Sequence, residues 1–145
     1  MGLFSFLFGT PAPAQALGKP VPPESVPSDE NFANIFSIAE AMLIAPTAYN
    51  VGAKQAKRYK NRCAVIGTVQ KGEFKAGDNV IVKVNGQPVE VLAHDVIEAE
   101  DGESAEEKLV NRTWATPKPV AAITKAWIYL ELTVKPDAGT IIGKI

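Results

Sequence analysis

The sequence predicts a mainly β protein, a small closed or nearly closed barrel of about six strands preceded by one helix and an extended N-terminal arm. After residue 61, short β-branched and apolar runs alternate with turn residues, which is typical of a small all-β domain. With 145 residues, 46% of them hydrophobic, the chain can bury one core without metals or disulfides. We therefore divide it into an apolar tip and proline-rich arm (1–28), a helix and basic connector (29–61) and the barrel (62–145).

The arm begins with a short apolar run that is far below the roughly 20 residues needed to span a bilayer. The prolines between residues 10 and 28 remove backbone donors and favour extended conformations, so this stretch is predicted to be a linker. The tip is a candidate contact with a partner, a membrane surface, another copy or its own barrel. Its candidate contact residues are Leu3, Phe4, Phe6, Leu7 and Phe8.

The segment after the arm is predicted to form a helix over residues 29–45. Ser28 or Asp29 can cap it, and Pro46 would end it. Helical spacing would place one apolar face along Phe32, Ile35, Phe36, Ala39, Met42 and Leu43. Short apolar runs separate helix from strand poorly, so residues 35–45 can alternatively be read as extended chain at the barrel edge.

A basic cluster precedes the first predicted barrel strand. The chain has a formal net charge of −1 and a pI of about 5.9, so any contact with nucleic acid has to be local. The cluster could supply several phosphate contacts and one ring for base stacking, or it could be a solvated connector. Its residues are Lys54, Lys57, Arg58, Tyr59, Lys60 and Arg62.

Six strands are predicted, at about 62–70, 79–84, 87–98, 119–123, 126–134 and 140–145. The Asn85-Gly86 dipeptide between the second and third of them suits the positive φ angles of a type I′ hairpin turn.

The run from Gly67 to Val80, GTVQKGEFKAGDNV, resembles the second domain of translational GTPases such as elongation factor Tu. In both, a strand, a glycine, a turn ending in glycine, an apolar residue and a Gly-Asp or Gly-Glu pair precede the next strand. The sequences WIYLEL at 127–132 and GTII at 139–142 look like the last two strands of that domain. The residues themselves suit this pattern, because Phe74 can plug one end of a barrel and Asp78 can bond the backbone of its own turn. The resemblance implies a closed or nearly closed barrel of roughly six strands, a topology that serves as a docking platform in several RNA- and ribosome-associated proteins.

The differences from that family restrict the function. The sequence contains no Gly-x-x-x-x-Gly-Lys-Ser/Thr loop, and too few residues precede the barrel to build a nucleotide-binding domain. The insertion at 101–119 has no counterpart in the family, so transfer-RNA binding is not implied. We therefore expect a protein that is not an enzyme, with no catalytic residues.

An acidic segment at 95–107 is predicted to be an exposed loop, because its spacing does not match a calcium-binding EF-hand. It could also pair with the basic cluster of another copy. Within it, Ser104 and Glu107 have the spacing of a capping box that opens a short helix.

The further candidates for chemistry or contact are His94, Asp95, Cys63 and Trp114. His94 beside Asp95 is predicted to be structural, because no nucleophile with a recognisable motif accompanies it. Cys63, the single cysteine, is predicted to be a buried small hydrophobe. Trp114 is predicted to be either a lid over the barrel end or an exposed contact residue.

These observations favour a non-enzymatic interaction module whose barrel docks on a protein or structured RNA. Protein or self-association is the preferred partner class, and no metal, cofactor or small-molecule substrate is implied. The alternative is a structural subunit of a bacterial or viral particle whose arm packs on a neighbouring copy. A reducing, cytoplasmic location is expected from the single cysteine and the lack of a basic stretch ahead of the apolar tip.

Overall fold

The computed structural model describes residues 18–110 and 118–145. Its strands are β1 Lys19–Pro20, β2 Asn34–Ile44, β3 Arg62–Lys71, β4 Glu73–Phe74, β5 Asn79–Val84, β6 Gln87–Glu98, β7 Val120–Ala121, β8 Lys125–Leu130 and β9 Ile141–Lys144. The helices are α1 Ala48–Val51, α2 Ala53–Tyr59 and α3 Ala105–Val110, and two 3-10 turns precede β2. None of the helices in these two ranges has the length and apolar character needed to cross a membrane.

Six antiparallel strands form a closed barrel in the order β6, β5, β9, β2, β3 and β8, and the pairing of β8 with β6 completes the ring. Strand β1 adds to the edge of β6, while β4 and β7 form a separate two-stranded sheet. The predicted fold class is confirmed. The predicted strands at 62–70, 79–84 and 87–98 correspond to β3, β5 and β6, and the last three are observed as the shorter β7, β8 and β9.

The prediction of a helix over 29–45 is wrong, because Asn34–Ile44 is strand β2. The alternative of extended chain over 35–45 is the one observed. Strand β2 pairs with β3 along most of its length and with β9 at its start, so it is an integral strand of the barrel. The barrel therefore begins well before residue 62.

A β-bulge explains why β2 imitates a helix in the sequence. The pairing register with β3 shifts between Ile38 and Glu40, which moves the later side chains to the opposite face. Phe36, before the shift, lies in the barrel core, whereas Ile44, after it, lies in a second apolar cluster outside. A strand that changes its buried face does not keep a two-residue apolar period, and three- and four-residue spacings result.

The barrel interior is filled by side chains of every barrel strand. Phe74 is fully buried, as predicted for a plug, and its ring meets the ring of Phe36 edge-on at 6.1 Å between centroids. Cys63 is also buried, which confirms its prediction as a small core residue. Removal from water raises the pKa of the Cys63 thiol to about 12.

Side chains distant in sequence fix two of the turns. Asn85 and Gly86 have φ angles of 53° and 78°, as the predicted type I′ turn requires. Both of their N–H groups donate to the carboxylate of Asp137, each at 2.7 Å. Asp78 accepts from the N–H of Lys75 at 2.8 Å, which confirms the predicted turn bond, and also from the ammonium of Lys144 at 2.7 Å.

Candidate functional site

A second apolar cluster lies on the outside of the barrel, against the short helices. It includes buried residues of β2, β3 and β8 together with Tyr59 of α2 and Leu109 of α3. Burying these side chains against the sheet is what holds helices of only a few residues in place, because such short helices are not stable alone. The cluster therefore attaches an outer helical layer to the barrel.

Helix α2 separates its residues into an inner and an outer face. Tyr59 is buried on the inner face, while Lys54, Lys57 and Arg58 are exposed. Their spacing of three and four residues places these cations side by side on one side of the helix. Lys60 follows directly and is also exposed. Within the described ranges, none of these four side chains forms an ion pair.

Tyr59 has a different role from the one predicted. Its side chain is only 1% exposed, so in this structure its ring is not available for stacking on a base. The ring contacts His94 at 6.0 Å and Tyr129 at 5.6 Å between centroids, both in edge-on geometry. Tyr59 is therefore the residue that anchors α2 to the barrel.

Arg62 is likewise engaged within the protein. Its Nε donates to Glu131 at 2.8 Å, and its Nη1 donates to the carbonyl oxygen of Lys60 at 2.9 Å. The other oxygen of Glu131 is in hydrogen-bond contact with His94 Nε2. His94 thus pairs with Glu131 of the neighbouring strand segment, and the role of Arg62 is to link β3 to this carboxylate.

Glu131 makes the stability of this cluster depend on pH. Burial alone raises the pKa of Glu131, but hydrogen bonds from His94 and Arg62 outweigh it and hold that pKa below its ordinary value. A carboxyl whose pKa is lowered by folding stabilises the folded state above the ordinary value, near 4.3, and the contribution is lost as pH falls through the folded-state pKa.

We expect the Glu131→Gln variant to lose about 1–2 kcal/mol at pH 7, because a charge-assisted bond is replaced by a weaker one. The deficit should shrink as the pH falls below about 4, where the wild-type carboxylate is itself protonated. Urea unfolding at several pH values measures both. Glu30→Gln, at an exposed position, is the control. A loss of stability in Glu131→Gln that does not change with pH would contradict the lowered pKa of Glu131.

The acidic segment is partly neutralised by lysines. The ammonium of Lys108 lies 3.1 Å from Glu103 and 3.5 Å from Glu100, and Lys125 lies 3.3 Å from Asp101. The predicted capping box is confirmed: the Ser104 N–H donates to the Glu107 carboxylate at 2.8 Å and the Glu107 N–H donates to the Ser104 hydroxyl at 3.1 Å. Among residues 18–110 and 118–145, no group of three potential metal ligands is found.

Tyr49 of α1 is a surface residue that the sequence reasoning missed. Its side chain is 98% exposed, and α1 directly precedes α2 along the chain. The local sequence does not indicate that Tyr59, which stands among cations, is the buried ring; only the tertiary structure shows that Tyr49 is exposed and Tyr59 buried.

The predicted contact residues of the tip (Leu3, Phe4, Phe6, Leu7 and Phe8) and Trp114 lie outside the described residues. Comparison of the chain with protein-family models, curated proteins and solved structures gives no match. The outer helical layer is therefore the feature from which we infer a function.

Proposed function

We propose that this protein is a non-enzymatic interaction module that docks through the exposed face of α2 on a macromolecular partner with an anionic surface. Protein and structured RNA both belong to that class. The observation that carries the proposal is the row of exposed cations, Lys54, Lys57 and Arg58, on a helix that Tyr59 anchors to a closed barrel. A rigid scaffold lowers the entropy lost on binding, because the charged row need not be assembled at that moment.

The arrangement of these cations is unfavourable for the isolated helix. Lys54 faces both Lys57 and Arg58 at three- and four-residue spacing, and each like-charge pair costs roughly 0.2–0.5 kcal/mol. Lys57 and Arg58 are well placed near the negative end of the helix, whereas Lys54 is in the first turn, near the positive end. A bound anionic partner would relieve this repulsion.

The remaining support comes from the barrel. Its interior is filled by side chains, so the outer surface is where a partner would bind. The sequence resemblance to the second domain of translational GTPases favours the same use, since that barrel topology serves as a docking platform in several RNA- and ribosome-associated proteins. We extend this interpretation to the present chain, with α2 as the contact surface.

We expect reversal of the row (Lys54→Glu, Lys57→Glu and Arg58→Glu together) to abolish binding to a polyanion. Counterion release makes such binding fall steeply with salt, and each lost phosphate contact should reduce the slope of log affinity against log salt by about 0.7–0.9. Fluorescence anisotropy with a labelled transfer-RNA mixture and with labelled poly-glutamate, at several salt concentrations, would measure this.

The matched control reverses three other exposed lysines, Lys71, Lys75 and Lys135, and so changes the net charge equally. It should retain most of the binding if α2 is the contact surface. Equal loss in the two triple variants would show that only overall charge matters, and a wild-type protein that binds neither probe would overturn the proposal.

A second candidate, an assembly subunit, is favoured by one observation. Helix α1 contacts α3, so the basic row and the acidic segment belong to the same outer layer. Two copies could pair these opposite charges across a two-fold axis. Light scattering after size exclusion at low and high salt, with and without residues 1–17, tests this: a monomer throughout contradicts assembly, whereas a salt-sensitive oligomer supports it.

A further inference from the structure

We propose that the partner is RNA with unpaired bases, and that Tyr49 is the ring on which one of those bases stacks. This inference rests on the proposed function and specifies its partner. Tyrosine in folded proteins is usually at least partly buried, whereas the Tyr49 side chain is 98% exposed. A base that stacked on this ring would cover the aromatic surface that now faces water.

The position of Tyr49 relative to the cations supports this role. Helices α1 and α2 are separated by Gly52 alone, whose φ of 88° belongs to the region that favours glycine. The backbone of α1 stays close to that of α2 across this bend. Tyr49 therefore lies on the element directly before the helix that carries the charged row, five residues ahead of Lys54.

Ring and charges together fit RNA better than the other anionic partners. An acidic protein would satisfy Lys54, Lys57 and Arg58 without using the ring. A membrane surface bound by these helices would call for several apolar side chains on them, but among the large exposed hydrophobic residues of the described ranges, only Tyr49 lies on a helix. RNA loops supply both phosphates and splayed-out bases, which proteins commonly bind by stacking on aromatic rings.

The test compares a single-stranded RNA 12-mer with a duplex RNA of equal length, by fluorescence anisotropy at two salt concentrations. The Tyr49→Ala variant loses the stacking contact with one base, so its affinity for the single strand should be roughly 5- to 150-fold lower than that of the wild type. Tyr49→Phe should restore affinity to within about threefold, since phenylalanine keeps the ring. Duplex binding and the salt dependence should be the same in all three proteins, because stacking involves no ion pair.

Other results would overturn the stacking role. If Tyr49→Ala binds the single strand as the wild type does while the charge-reversed triple variant does not, the proposed function stands and this inference fails. If no polyanion binds the wild type, both fail. Binding to anionic phospholipid vesicles that depends on Tyr49, without RNA binding, would identify a membrane partner instead.

Discussion

The Gly67→Ala variant is expected to lose about 3 kcal/mol or more of folding stability, the cost of overpacking at a site with no room to relax. A Cβ atom at Gly67 would overlap the carbonyl oxygen of Ser37 and lie 2.9 Å from Cε1 of Phe36. The overlap is with backbone of the paired strand β2, so relief requires the two strands to separate locally. The same site lies opposite Ile38, where the β2 bulge begins.

Urea denaturation followed by circular dichroism measures this loss. Gly86→Ala is the contrasting variant, since a Cβ there meets nothing within 4 Å and only the positive φ of 78° opposes it. We expect Gly86→Ala to cost about 1 kcal/mol. If Gly67→Ala proves the milder of the two, the close approach of β2 and β3 is not as described.

The Tyr59→Ala variant should lose about 3–5 kcal/mol, because it empties the centre of the outer apolar cluster. The residue is 1% exposed and its ring contacts His94 and Tyr129, so little of the space can be refilled without moving α2. Without the Tyr59 contacts, helix α2 and its charged row are no longer held on the barrel. Binding to a polyanion should therefore weaken even under conditions in which the barrel stays folded.

Tyr49→Ala provides the matched control for this prediction. It removes the same side chain ten residues earlier, from a position that is 98% exposed, and should change stability by no more than about 0.5 kcal/mol. The two variants therefore separate anchoring from contact. Thermal unfolding monitored by circular dichroism gives the comparison, and equal destabilisation by both would contradict the assignment of Tyr59 as the anchor.

Features encoded over a few neighbouring residues could be predicted from the sequence by itself. The Asn85-Gly86 turn, the Ser104–Glu107 capping box and the strands that became β3, β5 and β6 are all confirmed. Each depends on local backbone preferences or on a regular apolar alternation. The mainly β class followed from summing such local signals.

Features that depend on contacts between residues distant in sequence could be seen only in the tertiary structure. Strand β2 was predicted as a helix because its bulge changes which alternate residues face the barrel core: Phe36 and Ile38 face it before the bulge, whereas Met42 and Ile44 face the outer cluster after it. Arg62 is held by Glu131, which lies 69 positions further along the chain. Tyr59 stands among cations in the sequence and yet is buried, whereas Tyr49 is exposed, because packing of the helical layer on the barrel determines which ring is covered.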